Sequence, residues 1–234
     1  MNTPNKYELT SETKIVFGTK TLYRIRALIS FGTVKKGETG GFVESENNLN
    51  QSGNAWVFGD AEVYGNARVY GDARVYGDAR VFGNAQVFGD ARVYGDARVF
   101  GNAQVFGDAE VFGDAQVFGD AEVYGNARVF GNAWVFGDAE VYGNARVYGD
   151  ARVSGDARVF GNAEVFGDEN CKKSPIVITG PFYTVIVGDK YVSIGCKQYT
   201  AKKWRAFTRE QIENMGGNWN DFEKLIKVLG ALGL

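Results

Sequence analysis

The residues with the most chemical potential are arginines standing two places before aromatic rings. Arg74 precedes Tyr76, Arg92 precedes Tyr94, Arg128 precedes Phe130 and Arg146 precedes Tyr148, with Phe112 standing between the second and third pairs. An aromatic face beside a guanidinium can stack a base or a sugar ring and pair with a phosphate. These nine residues are the candidate ligand-binding set, for a small nucleotide or a glycan. A second group is carboxylate. Asp60, Asp78, Asp96 and Asp114 recur every eighteen residues, as do Asp72, Asp90 and Asp108. Oxygen-rich columns can hold Ca²⁺, but Asn takes equivalent places elsewhere, which favours plain turn hydrogen bonding and no metal. The chain has no histidine. That removes the usual general base with a pKa near 7, His-based triads and His-containing zinc sites. No catalytic residue and no cofactor are expected. Cys171 and Cys196 are too few for a metal site and are expected to stay reduced rather than pair.

The element that positions these groups is a repeat. From Gly53 to Asp168 the chain repeats Gly-(Asp/Asn)-Ala-x-Val-(Phe/Tyr) without a break, nineteen times. Ser154 is the only non-aromatic last place. Ala-x-Val-aromatic alternates with period two, so Ala and Val share one face and x and the ring share the other. The x places hold Arg, Glu, Gln or Trp, so Ala and Val point inward. Gly with Asp or Asn turns the chain. Residues 73–90 recur identically at 91–108. The coil is therefore eighteen residues, three hexads, and triangular. About six coils stack at the ~4.8 Å strand spacing.

The ring places then form three ladders. The first flank carries Phe58, Tyr76, Tyr94, Phe112, Phe130, Tyr148 and Phe166 beside Trp56, Arg74, Arg92, Glu110, Arg128, Arg146 and Glu164. The second carries Tyr64, Phe82, Phe100, Phe118 and Phe136. The third carries Tyr70, Phe88, Phe106, Tyr124, Tyr142 and Phe160, and its middle x places (Gln86, Gln104, Glu122, Glu140) lack a cation. Three outward ladders exceed the few hundred Å² of contiguous apolar surface that a monomer usually exposes. A covering partner is expected, with Phe88, Phe106, Tyr124 and Tyr142 as the candidate oligomer interface.

The phrase Val-Phe-Gly-Asp-Ala-Arg resembles the hexapeptide repeat of left-handed parallel β-helix proteins, with an aliphatic residue opening the hexad and a small one four later. The resemblance covers residues 53–168, about half the chain. It implies a left-handed coil and, because such relatives are often homotrimers, a homotrimer. Many relatives are acyltransferases with a histidine base and loop insertions that build the acyl-donor pocket. This chain has neither, so the resemblance stops at the fold. Lys35–Val43 and Ser193–Cys196 also resemble the flanks of uncharacterised phage and prophage members.

The flanking segments read as caps. Residues 1–52 are a β-rich N-terminal cap. Lys14–Phe17 and Thr21–Ile29 are strands, Tyr23, Ile25, Ala27 and Ile29 are the buried face, Lys35–Gly41 is a turn, and Phe42–Val43 is a brief strand leading to the first hexad. Residues 169–234 form a small α+β cap over the last coil. It begins with a polar linker, Glu169–Pro175. Strands follow at Ile176–Thr179, Tyr183–Val187 and Tyr191–Ile194. Two helices come last, signalled by Thr200, by the box Thr208–Gln211 and by Asn220. The fold class is thus mainly β, a triangular left-handed parallel β-helix (53–168) between two caps.

The net charge of −2 divides into an acidic repeat and a mildly basic tail. Duplex nucleic acid is not indicated. No apolar leader or span is present, so a cytoplasmic location is expected, the host's if the gene is phage-borne. Three function classes remain: a non-catalytic scaffold or interaction protein, a ligand-binding protein of possible anti-defence role, and a degenerate acyltransferase.

Overall fold

Valine and alanine build the shaft. Every array Val from Val57 to Val165 and every array Ala from Ala55 to Ala163 is buried. In the computed structural model, which describes residues 5–179 and 184–233, each hexad gives a short strand. It pairs in parallel with the hexads eighteen residues before and after, as Val93 does with Val75 and Val111. Bonds run coil to coil along the whole hexad: Arg98 N–H to Ala115 O at 2.9 Å, Phe100 to Val117 at 3.0 Å, Asn102 to Gly119 at 2.8 Å. The result is a parallel β-solenoid of about seven turns with three flanks. The corner glycines from Gly53 to Gly167 all have φ between 59° and 75°, a region that L side chains rarely enter.

The shaft is longer at both ends than the hexad run. Val43 pairs with Val63, and Leu49 bridges to Val69. These steps are twenty residues rather than eighteen, because two extra residues lie between Leu49 and Val57, and this hid the first rungs. Residues 39–41, expected in a turn, open strand β3 (Thr39–Val43). A Cβ on Gly40 would lie 2.5 Å from Val57 O, and one on Gly41 2.5 Å from Ala61 O. The glycines here allow close approach rather than a turn. At the other end the expected linker begins with another rung. Asn170–Cys171 pair with Arg152–Val153, and Glu169 and Cys171 are buried where Ala and Val would stand.

Strands β1 (Tyr7–Val16) and β2 (Lys20–Ala27) form an antiparallel hairpin that extends the second flank's sheet through β3. The inward residues of β2 are Leu22, Ile25 and Ala27, not Tyr23, Ile25, Ala27 and Ile29. A register shift between Arg24 and Arg26 breaks the alternation. It sends Leu22 against Phe42 and Tyr64, while Ile25 packs on Gly40.

The chain divides into two compact units, residues 1–174 and 175–234. The second has a four-stranded antiparallel sheet (Ile176–Thr179, Thr184–Val187, Val192–Ile194, Lys197–Tyr199) and helices α1 (Ala201–Arg205), α2 (Arg209–Asn214) and α3 (Trp219–Ala231). The sequence pattern predicted three strands and two helices. The fourth strand is a short polar run after Gly195, and it carries no apolar alternation to betray it. Tyr183, expected to open the second strand, lies outside the described residues. The caps fall as expected at Thr200 and Thr208, and one turn boundary moves: Asn218, not Asn220, caps α3. Trp204 is buried and donates to Val192 O at 2.6 Å. Neither Cys171 nor Cys196 is in a disulfide.

Two glycine variants separate corner strain from corner crowding. Gly161 has φ +66° and open space for a Cβ, whereas a Cβ on Gly101 (φ +71°) would lie 2.9 Å from Gly119 N. Gly161→Ala should cost about 1–2 kcal/mol, the left-handed backbone term alone. Gly101→Ala should cost at least about 1 kcal/mol more, because backbone must shift. Urea midpoints compare the two, and equal losses would contradict coil-to-coil contact as the limiting constraint.

Candidate functional site

The ladders exist, and they are closed. On the first flank Tyr76–Tyr94, Tyr94–Phe112, Phe112–Phe130 and Phe130–Tyr148 stack at 4.7–4.9 Å. Phe82, Phe100, Phe118 and Phe136 stack at 4.8–5.0 Å on the second. The third-flank candidates Phe88, Phe106, Tyr124 and Tyr142 stack at 4.9 Å throughout. Each interior ring has a neighbour on both faces, so a base or sugar approaching it meets only edges. The large exposed apolar surface expected from three ladders shrinks accordingly. Most ladder rings are half-buried, and among the described residues only Phe160, at 44%, counts as an exposed one.

Two first-flank and second-flank positions leave the surface altogether. Trp56, expected outward beside the arginines, is fully buried under Tyr7 and Phe31, whose ring centroids lie 6.1 and 5.3 Å away. Tyr64 is buried between Phe17 and Phe82. Glu62 is buried as well, paired with Lys14 at 2.6 Å and Arg80 at 3.4 Å.

The arginine column of the first flank is mostly neutralised. Glu110 holds Arg92 at 3.3 Å and Arg128 at 3.4 Å, and Glu164 holds Arg146 at 3.2 Å. The Tyr94 and Tyr148 hydroxyls donate to the same two carboxylates. Arg74 has no ion pair among the described residues. Arg128 and Arg146 line a shallow groove of about 360 Å³ with Asn126, Asn144 and Asn162. On the third flank, Tyr124 donates to Glu140 at 3.1 Å, and Arg158 pairs with Glu140 at 3.1 Å. Burial, with help from that carboxylate, pushes the Tyr124 hydroxyl up to about 12.

The first-flank ladder stops one coil short of its N-terminal end. Phe58 lies one coil before Tyr76 but makes no ring contact with it; the first-flank stack starts at Tyr76. Arg24 of the hairpin explains this. Its guanidinium donates to Gly59 O at 3.0 Å and to Asp60 at 3.2 Å, and also to Gly40 O at 2.9 Å. The Gly59 corner is drawn off the stack. A Cβ there would be 3.9 Å from Gly77, against 3.0 Å from Gly95 for one at Gly77. The opening is a recess of about 450 Å³ lined by Thr33, Phe58, Arg74, Tyr76 and Arg92. It brings together Arg74, Tyr76 and Arg92 of the nine candidates. Sequence reasoning missed Thr33 and Arg24, because nothing in the hexad signals that a cap residue pulls one corner away.

Thr33 is held by the cap's interior. Phe31 and Val34 exchange backbone hydrogen bonds across it, and the Phe31 ring packs on Trp56. Lys6 sits 5.0 Å over the Phe31 ring and donates to Ala55 O at 2.9 Å. The corners themselves form carboxamide ladders: Asn66 to Asn84, Asn84 to Asn102 and Asn102 to Asp120, at 2.9–3.0 Å. Among the described residues no three Asp, Glu or Cys side chains converge in a way that would hold a metal ion. No described helix is long and apolar enough to cross a membrane.

A family model described as the YdcK beta solenoid repeat matches residues 61–75, 73–89, 85–101, 91–107, 121–137, 139–155 and 151–167. All seven segments fall in the shaft. No curated protein matches the chain.

The cap carries a pH signature. Burial lowers the Lys6 ammonium to about 8 from its usual 10.5, against a smaller opposing pull from Asp72. Burial raises the Tyr7 hydroxyl above its usual 10.0. Between pH 8 and 10 the unfolded chain keeps a Lys6 proton that the folded chain has lost, so stability rises with pH. Above about pH 10 the unfolded chain alone ionises Tyr7, and stability falls. Denaturant unfolding should therefore show a maximum near pH 10, and Lys6→Met should abolish the rise. A flat or falling wild-type profile from pH 8 would contradict a buried, charge-averse Lys6.

Proposed function

We propose that this chain, built on the YdcK beta solenoid repeat, is a non-catalytic scaffold or interaction protein whose laddered flanks pack against another chain. In this reading it is a left-handed hexapeptide-repeat protein of phage or prophage origin that works in the host cytoplasm as a homotrimer. The observation that carries it is the closure of the ring ladders. Rings stacked on both faces present rigid rows of edges, with little side-chain freedom left to lose on association. Such rows suit a flat protein contact and do not suit insertion of a small ring. The third flank is the interface, since Phe88, Phe106, Tyr124 and Tyr142 form an unbroken stack whose own x places, Gln86, Gln104, Glu122 and Glu140, carry no arginine. Without histidine, acyl transfer has no ordinary base, and acetyl-CoA turnover by the pure protein would count against this reading. Sedimentation equilibrium should give a trimer at micromolar concentration. Phe106→Glu should yield monomers that stay folded by circular dichroism, while Phe112→Glu, on the first flank, should stay trimeric. A wild-type monomer at hundreds of micromolar would sink self-association.

One observation favours a second reading, capture of a small phosphorylated nucleotide. Where the first-flank ladder stops one Tyr76 face is open, and Arg74 beside it has no ion pair among the described residues. A base on Tyr76 with its phosphate on Arg74 and Arg92 would use all three. A nucleoside mono- and diphosphate panel in calorimetry should show micromolar binding that Arg74→Ala and Tyr76→Ala each weaken at least tenfold. Arg146→Ala, distant along the same column, should leave it intact. Absence of heat across the panel, with a glycan panel equally silent, would remove this reading.

A further inference from the structure

The C-terminal unit contains an apolar cleft with an uncompensated cation at its mouth. Ile178, Val185 and Ile194 are register partners across three strands, so they form one row on one sheet face. Trp204, Met215 and Leu225 of the helical layer face this row across a cavity of about 310 Å³. Val185 and Trp204 are buried, but Ile178, Ile194, Met215 and Leu225 are only partly so. The floor is tight, because a Cβ on Gly217 would come within 2.9 Å of Ile212. A unit of about 60 residues has little core to spare. Leaving this row half-covered forgoes burial that an apolar occupant would restore.

The rim selects the occupant. Asp221 and Lys224 pair at 3.2 Å and largely cancel. Asn218 is engaged in capping α3, accepting from Asp221 N–H. Lys197, on the last strand and lining the same mouth, has no ion pair among the described residues. A peptide inserted here would bury backbone N–H and C=O groups against an apolar wall that cannot satisfy them. The volume falls at the small end of the ~300–1,000 Å³ typical of small-molecule sites. We infer that the cleft binds a small amphipathic carboxylate, its apolar tail against the Ile178–Val185–Ile194 row and its carboxylate on Lys197.

The test uses the full chain with three probes that share a ten-carbon chain and differ in head group: decanoate, decanol and decyltrimethylammonium, each below its micellar concentration or solubility limit. Tryptophan fluorescence and calorimetry read the binding. Decanoate should bind saturably, one per chain, with decanol at least tenfold weaker and the cation weaker still. Lys197→Glu changes an exposed residue, so melting should be unchanged while decanoate binding drops at least tenfold. Met215→Trp should weaken decanoate and decanol alike by filling the cleft. Three results would each overturn the inference. One is no saturable binding. Another is equal affinity of wild type and Lys197→Glu for decanoate. The third is a concentration-dependent dimer abolished by Leu225→Glu, which would seat a second copy of the chain on the cleft.

Discussion

The structure depends on how closely successive corners approach. A Cβ placed on most corner glycines would lie about 3 Å from the glycine backbone eighteen residues on. Only glycine permits this approach, and its left-handed φ lets the same residue make the turn. Once corners touch, the coil spacing is set, and everything outside the core inherits it. Rings inside the ladders repeat at 4.7–5.0 Å, and the end pairs Tyr64–Phe82, Tyr142–Phe160 and Tyr148–Phe166 at 5.1–5.4 Å. Carboxamides bond corner to corner at about 3 Å, and arginines reach carboxylates one coil away. The magnitudes rank these effects. Burying a Val contributes ~1.5–3 kcal/mol, a ring pair ~0.5–1.5 kcal/mol and an exposed ion pair ~0–1 kcal/mol. The inward Val and Ala hold the shaft together, whereas the outward ladders chiefly make its flanks stiff.

Fold and site differed in how far they could be read from residues. The shaft was legible because its cause is local: Ala and Val alternate with polar x residues, and identical eighteen-residue blocks give the coil length. The closure of the rings was legible in principle, since a ring one strand spacing from the next leaves no room for a third, but counting rings as outward made them look exposed. The strand at Phe42–Val43 was legible, but its place as a rung of the shaft, and that of Leu49, was not, because a two-residue insertion put them out of phase. Nor was the inward face of β2, where a bulge between Arg24 and Arg26 moves the buried place from Tyr23 to Leu22. The fourth C-terminal strand, Lys197–Gln198–Tyr199, has no apolar pattern and is defined by its pairing with Val192–Ile194. These failures share a physical origin: tertiary pairing overrode local pattern.

Regular surfaces carry little specificity, so the exceptions to the repeat are the places to look for function. Along the first-flank column the x places read Trp56, Arg74, Arg92, Glu110, Arg128, Arg146, Glu164. Glu110 takes the arginines on both its sides, and Glu164 takes the one before it. Arg74 has Arg92 on one side and Trp56 on the other, and Trp56 is buried beneath Tyr7 and Phe31. The lack of an ion pair at Arg74 follows from the column itself, which places no carboxylate beside it, whereas the open face of Tyr76 follows from the docking of the N-terminal cap. The cap takes Trp56 inward, and through Arg24 it draws the Gly59–Asp60 corner off the stack. A site at this end of the flank cannot be assigned to the repeat alone. The recess lies where the cap and the first regular coil meet, and shortening the shaft from its far end would leave it intact.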